Sequence, residues 1–252
     1  MKLLVWNDGR VVEASEFRLT LPYVMQRIHT LGHCAYNVSR HLSLLNDTAI
    51  SLFSFATLCR VVDAERIISK LLDASRVSRS LSCPVVMRIN VLGELSFEVE
   101  QPILYEGYAV RAKRLALAPL TMPMPNTISP TSVTLAIDAM ADSRVRSVGG
   151  DMALWLDDHG EVISRPWMPI FAVYRGKVYT PSEYDSVEYV VTRDAIRRAN
   201  IELVIHPLTV DSLMRMEEVF MVDAMGITSA ASLKEHRLLS VVASRIADKM
   251  EP

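Results

Sequence analysis

The 252-residue chain predicts a mixed α/β (α+β) fold in two domains, and three observations carry that expectation. Short runs with strand-like alternation are interleaved with runs whose apolar residues recur at helical spacing. Apolar residues make up 50% of the chain, enough for one large core or two small ones. Pro119, Pro123, Pro125 and Pro130 fall within one stretch, and because proline fixes φ and removes a donor, that stretch predicts a connector. The expected organisation is an N-terminal α/β domain over 1–118, a linker over 119–130 and a C-terminal α/β domain over 131–252.

The elements follow in order. "LLVW", "NDG" and "RVVEA" read as strand, turn and strand, since Asn7, Asp8 and Gly9 tolerate positive φ. Val38, His41, Leu42 and Leu45 recur at helical spacing. "DAERIISKLLDAS" is a clearer helix, with Asp63 as its expected cap and Ile67, Ile68, Leu71 and Leu72 as its buried stripe. "PVVMRINVLG" and "YAVRAKRLALAPL" read as strands. After the linker a helix is expected from about Thr131 to Arg144. "DMALWLDDHGEVI" and "IFAVYRGKVYTP" read as hairpins turning at "DDHG" and "RG". "VTRDAIRRANI" predicts a helix, "ELVIHPL" a strand, "VDSLMRM" a short helix, "EEVFMVDA" a strand and "HRLLSVVASRIADKM" a last helix.

Composition excludes several functions. A formal net charge of -2 gives no electrostatic reason to bind nucleic acid or an anionic membrane. The densest basic run, Arg111 to Arg114, alternates like the solvent side of a strand. Cys34, Cys59 and Cys83 are isolated thiols without metal-ligand spacing, which argues against a disulfide framework and a zinc site. The apolar run in "MKLLVWNDGR" is too short for a signal peptide, and no window spans a membrane, so the expectation is a soluble, cytoplasmic protein. The chain lacks a Gly-rich dinucleotide loop, a Walker A loop, a helical zinc motif and a nucleophile elbow. His29 and His33 would share a helix face if their segment were helical, but no acidic residue accompanies them, and no metal is expected. The adjacent pairs Asp157-Asp158 and Glu217-Glu218 would point to opposite faces of a strand, so they read as a hairpin turn and a strand start.

Six blocks in order resemble the class IV aminotransferases, the pyridoxal-phosphate enzymes that include branched-chain and D-amino acid aminotransferases and aminodeoxychorismate lyase. They are "WNDGRVVEA", "VMQRIHTLGHCAYNVSRHLSLL", "GGDMALWLDDHGEV", "IFAVYRGKVYTP", "VVTRDAIRRANIELVIHPLTVDSL" and "EEVFMVDAMGITSA". The resemblance implies a second domain built on a barrel-like sheet, and a homodimer for which Phe53 to Leu58 is a candidate contact. It also implies a Schiff-base lysine just after the linker. Counting back from Met152 lands on Ser129 to Thr131, and no lysine lies between Lys113 and Lys177. The imine chemistry needs an amine that a hydroxyl cannot replace. Lys113 is the nearest alternative, and it reads as an exposed lysine.

The other implied contacts change too. Ser164 takes the place of the glutamate that keeps the pyridine nitrogen protonated, and Pro169 that of an asparagine. Leu44 takes the place of the phosphate arginine, with Arg40 or Arg27 as nearby substitutes. Ala224 or Met225 takes the place of a phosphate threonine. Thr192 is kept, followed by Arg193 at an expected helix start. These positions, Ser129, Ser164, Thr192, Arg193 and Ala224, form the expected vestigial pocket, made drier by Trp167 and Met168. The expectation is a pseudoenzyme with a binding, structural or regulatory role, no catalytic residues, no bound pyridoxal phosphate, and at most a small anion or small molecule in an interdomain cleft. The alternative is an active branched-chain, D-amino acid or lyase-like enzyme with an atypical site.

Overall fold

The computed structural model describes residues 3–103 and 105–251. The chain forms two compact units, Met1–Gly107 with Thr127–Val133, and Tyr108–Asn126 with Thr134–Glu251.

In the first unit, β1 (Leu4–Asn7) and β2 (Arg10–Glu13) form the expected hairpin, with Asp8 and Gly9 both at positive φ. Then come β3 (Tyr23–Leu31), β4 (Cys34–Ala35), α1 (Val38–Phe53), α2 (Val61–Ala74), β5 (Cys83–Asn90) and β6 (Leu95–Val99). The strands form an antiparallel sheet in the order β2-β1-β6-β5-β3-β4. Alternate residues Val24 and Ile28, Val85 and Met87, and Phe97 pack with Leu45, Ile68 and Leu72 of the two helices in one core. Arg60, not Asp63, is the N-cap of α2; Asp63 lies in the first turn, held by Arg60 and Arg66. His29 is on a strand and His33 in the turn after it, so the helical spacing that would pair them does not exist. Among the described residues no cluster of three or more His, Cys, Asp or Glu forms a candidate metal site.

The second unit runs β7 (Ala109–Val110), β8 (Leu115–Thr121), α3 (Ser132–Arg146, whose first two residues belong to the first unit), β9 (Met152–Leu156), β10 (Ile170–Tyr174), β11 (Lys177–Thr180), α4 (Val187–Arg198), β12 (Leu203–Ile205), α5 (Val210–Leu213), β13 (Glu218–Asp223), β14 (Gly226–Leu233), β15 (His236–Arg237) and α6 (Val241–Ala247). The strand order is β12-β11-β10-β13-β14-β8-β9, with β7 and β15 also paired to β14. Bridges Leu156↔Val162 and Glu161↔Thr209, and the Val162 N–H on the Leu208 carbonyl, carry the pairing from β9 to the segment after β12. The sheet thereby curls, barrel-like, around Ile170, Ala172, Leu208, Val219, Met221 and Ala230. The alternate residues Phe171, Val173, Phe220 and Val222 face outward onto Tyr189 and Ile196 of α4 and Ala243 and Ile246 of α6.

Three expectations change. Part of the expected linker, 119–121, is strand: Pro119 lies in β8, registered with Leu154 of β9, while pairing to β14 stops at Leu117. Its missing donor therefore costs no ladder bond. The first crossing between units falls at Gly107–Tyr108, and Thr127–Val133 returns to the first unit. Second, the basic run breaks the expected single strand. Arg111 pairs with Asp223, and Arg114 donates to the carbonyls of Ala230, Leu238 and Leu239. Third, the last helix begins only at Val241, because buried Glu218 accepts the N–H groups of Val241, Val242 and Ala243. No helix among the described residues is long and apolar enough to cross a membrane.

Candidate functional site

In the first unit, Thr127–Val133 lies along β3: the Met25 N–H donates to the Pro130 carbonyl (2.9 Å), and Val24 bridges Thr131. This places Ser129, fully buried, against α1. Its oxygen accepts from Gln26 Nε2 (2.8 Å), its proton goes to the Leu44 carbonyl (2.8 Å), and Thr48 Oγ1 lies 2.9 Å away. Gln26 Oε1 accepts in turn from His41 Nδ1 at 2.8 Å. Burial first, and then Arg40, push the His41 pKa down to about 3, so the imidazole is neutral. The set is uncharged and mutually satisfied. The Leu44 side chain is buried and apolar. Arg27 pairs with Glu100 at 2.9 Å.

In the second unit, Ser164 is buried. Its hydroxyl oxygen accepts the Ile170 N–H (3.0 Å), and its carbonyl accepts the Tyr184 hydroxyl (2.6 Å). Beside it is a cavity of about 20 Å³ bounded by Met152, Trp155, Arg165, Met168 and Met221. That is room for roughly one water. Arg165 pairs with Asp138 of α3 at 2.5 Å, both largely buried, and reaches Met168 Sδ at 3.3 Å. Desolvation raises the Asp138 pKa, opposed by the Arg165 charge.

Thr192 is not at a helix start. Helix α4 opens at Val187, where Ser186 Oγ accepts the Tyr189 N–H (3.3 Å). The Val190 N–H already donates to the Ser186 carbonyl (3.1 Å), and Thr192, fully buried, donates to the Glu188 carbonyl (2.7 Å). The backbone expected to face an anion is thus spent inside the helix. Arg193 is half exposed and pairs with Asp194 (3.3 Å) and Glu183 (3.8 Å). Ala224 is buried in the tight turn from β13 to β14, where Asp223 Oδ1 accepts the Met225 N–H (2.9 Å). Gly226 follows with φ 126°, and a Cβ there would sit 2.2 Å from the Ala109 carbonyl oxygen, so both the conformation and the close approach require glycine. Ser164 and Thr192 have different hydrogen-bond partners. Lys113 is exposed on the loop after β7, with Nζ 3.3 Å from Asp151.

The sequence reading missed the Arg165–Asp138 pair and the buried role of Glu218. Arg165 in "SRPWMP" offered a signal, a charge amid apolar and proline residues. Glu218 offered none beyond its pairing with Glu217.

The profile of the amino-transferase class IV family matches residues 30–233. The chain belongs to that family. A Methanocaldococcus jannaschii protein provisionally named as a branched-chain-amino-acid aminotransferase is 24% identical over 234 residues, 84% of this chain and 80% of its own. Among solved structures, the branched-chain aminotransferase of Thermoproteus uzoniensis with norvaline has a TM-score of 0.78 at 19% identity, covering 98% of this chain and 93% of that one. An aminotransferase of Brucella abortus bound to the cofactor PLP has a TM-score of 0.81 at 14% identity, covering 99% and 98%. These likenesses establish the class IV aminotransferase fold. They also correct the expectation of no cofactor: a relative covering nearly this whole chain is bound to PLP. Ser129 presents a hydroxyl rather than an amine, and Ser164 a hydroxyl rather than a carboxylate.

Proposed function

We propose that this class IV aminotransferase-fold protein does not carry out transamination and has a binding, structural or regulatory role. One observation supports the reading above all. The family resemblance puts the reactive lysine within Ser129 to Thr131, where no lysine stands and the Ser129 hydroxyl is buried and satisfied by Gln26 and the Leu44 carbonyl. Transamination requires a primary amine that forms an imine with the cofactor aldehyde and carries the substrate proton. The nearest lysine before Ser129 in the chain, Lys113, is exposed and paired with Asp151. Pyridoxal phosphate, the ligand of the Brucella relative, is the first compound to titrate. The test supplies the cofactor, a branched-chain amino acid and a 2-oxo acid, and follows amino transfer. The expected result is no turnover above the protein-free reaction. Turnover arrested by borohydride, with the cofactor mapped to a lysine, overturns the proposal in favour of an active enzyme with an atypical site.

The proposal includes the expected homodimer. Phe53 and Phe55 pack against the first unit's own core, which leaves Leu58, 97% exposed, as the remaining apolar contact of that segment. Light scattering is expected to give twice the chain mass; a stable monomer at micromolar concentration contradicts it.

A further inference from the structure

The first unit has an open groove between the β1–β2 hairpin and α2, about 440 Å³ in volume. Its floor is apolar: Trp6 and Val11 from the hairpin, Ile67 and Leu71 from α2. Its rim carries Arg66 and Lys70, one helical turn apart, and no acidic side chain lines it. Asp63 takes up part of the Arg66 charge at 2.8 Å.

The same groove opens beside a sheet edge. β2 is the end of its sheet and, among the described residues, pairs as a strand only with β1; at its far end the Glu13 carbonyl accepts the N–H groups of Glu16 and Phe17. Asp8 and Gly9 form a two-residue turn, so the flanking pair Asn7↔Arg10 is the hydrogen-bonded one and the next pair, Trp6↔Val11, is not. The Val11 N–H and C=O therefore point outward, away from β1. Because residues opposed across a ladder share a face, the Val11 side chain lies on the face of Trp6, which packs on the core shared with the helices.

We propose that this groove binds an acidic, extended peptide segment of a partner protein, added as a strand along β2. Its backbone pairs with Val11. An inward apolar side chain covers Val11, Ile67 and Leu71, and inward carboxylates on either side reach Arg66 and Lys70. Charge selects this occupant over a second copy of the chain. Two copies joined antiparallel along β2 would lay both basic rims on one face of the joined sheet, where they repel.

The test uses the full chain and a short synthetic peptide with aspartate, valine and glutamate at alternate positions and threonine between. Calorimetry measures binding, and amide NMR shifts locate it. Binding is expected with shifts centred on Val11. A peptide with lysine in place of both acids is expected not to bind. Lys70→Glu is expected to weaken the acidic peptide about tenfold. Val11→Pro removes only an outward donor, which an edge strand tolerates, and is expected to abolish binding of the acidic peptide in calorimetry, together with the amide shifts of the neighbouring Arg10 and Val12. Equal binding of the acidic and lysine peptides, or binding indifferent to both substitutions, overturns the proposal. So does the absence of binding, or a dimer that Val11→Pro dissociates, since the edge is then occupied by a second copy. If Val11→Pro unfolds the chain, the Lys70→Glu and lysine-peptide results decide alone.

Discussion

Two serines stand where the family resemblance puts charged side chains, and their surroundings differ in kind. Around Ser129 the first unit has built a neutral set in which Gln26, His41 and the Leu44 carbonyl satisfy one another. Beside Ser164 the second unit has built an ion pair, Arg165–Asp138, among methionines and Trp155. The contrast teaches what a buried position does when it lacks its expected charge. A short hydroxyl can be absorbed by neighbours that already carry donors and acceptors. A buried guanidinium needs a carboxylate, as Arg165 has, or several carbonyls, as Arg114 has, so removing its partner leaves a charge alone.

The contrast is broken most severely at the ion pair. Asp138→Ala leaves Arg165 buried without its carboxylate, and is expected to cost about 3–5 kcal/mol. Replacing both by leucine and methionine is expected to cost far less, because no charge is then left alone. Chemical denaturation of the two variants checks the order; equal losses would show that the pair's charge is not what matters.

The neutral set has its own signature, a pH dependence. The folded-state pKa of His41 lies near 3, below its ordinary 6.5. A depressed pKa contributes stability that is present above the ordinary value and lost as pH falls toward the folded one, since only the unfolded chain binds the proton in that window. The loss is about 1.4 kcal/mol per pH unit across it, as an order of magnitude. His41→Gln is expected to flatten this part of the stability–pH curve, measured by urea unfolding between pH 7 and 4. An unchanged slope would mean that His41 is not the titrating group.

A smaller loss is expected from Ser129→Ala, about 1–3 kcal/mol, because the Gln26 amide then has a buried donor without its acceptor. The direction separates the two regions: truncation around Ser129 orphans a dipole, truncation at Asp138 orphans a charge. Thermal unfolding that leaves Ser129→Ala as stable as the parent would show that the set rearranges or takes in water.

Much of this was legible in the residues, for identifiable reasons. Period-two runs such as "EEVFMVDA" and "IFAVYRGKVYTP" became strands because alternate residues face a core on each side of one sheet. The expectation of substitutions at Ser129 and Ser164 rests on the order of the flanking blocks. What stayed hidden depends on partners distant in sequence. Asp138 and Arg165 lie 27 residues apart, and Gln26 and Ser129 103 apart, and nothing local marks them as pairs. β3 was obscured because its two faces meet different surroundings: Gln26 faces α1 while Arg27 pairs with Glu100. Pro119 misled because a proline at a half-paired strand end resembles a proline in a connector.

The smallest effect is expected at Thr192, and it tests the most specific correction. At a helix start its hydroxyl and backbone N–H would face an anion, and Thr192→Val would remove a ligand contact while leaving the fold alone. Inside α4 the hydroxyl donates to the Glu188 carbonyl one turn back, a local bond that duplicates an acceptor already in the helix ladder. Valine preserves the β-branched shape in a fully buried site, so Thr192→Val is expected to change stability by less than about 1 kcal/mol. Phosphate should stabilise parent and variant alike, if at all. The check is thermal unfolding of both, with and without inorganic phosphate. A phosphate-induced rise in the parent that Thr192→Val removes would place Thr192 back at an anion site, against the helix seen here.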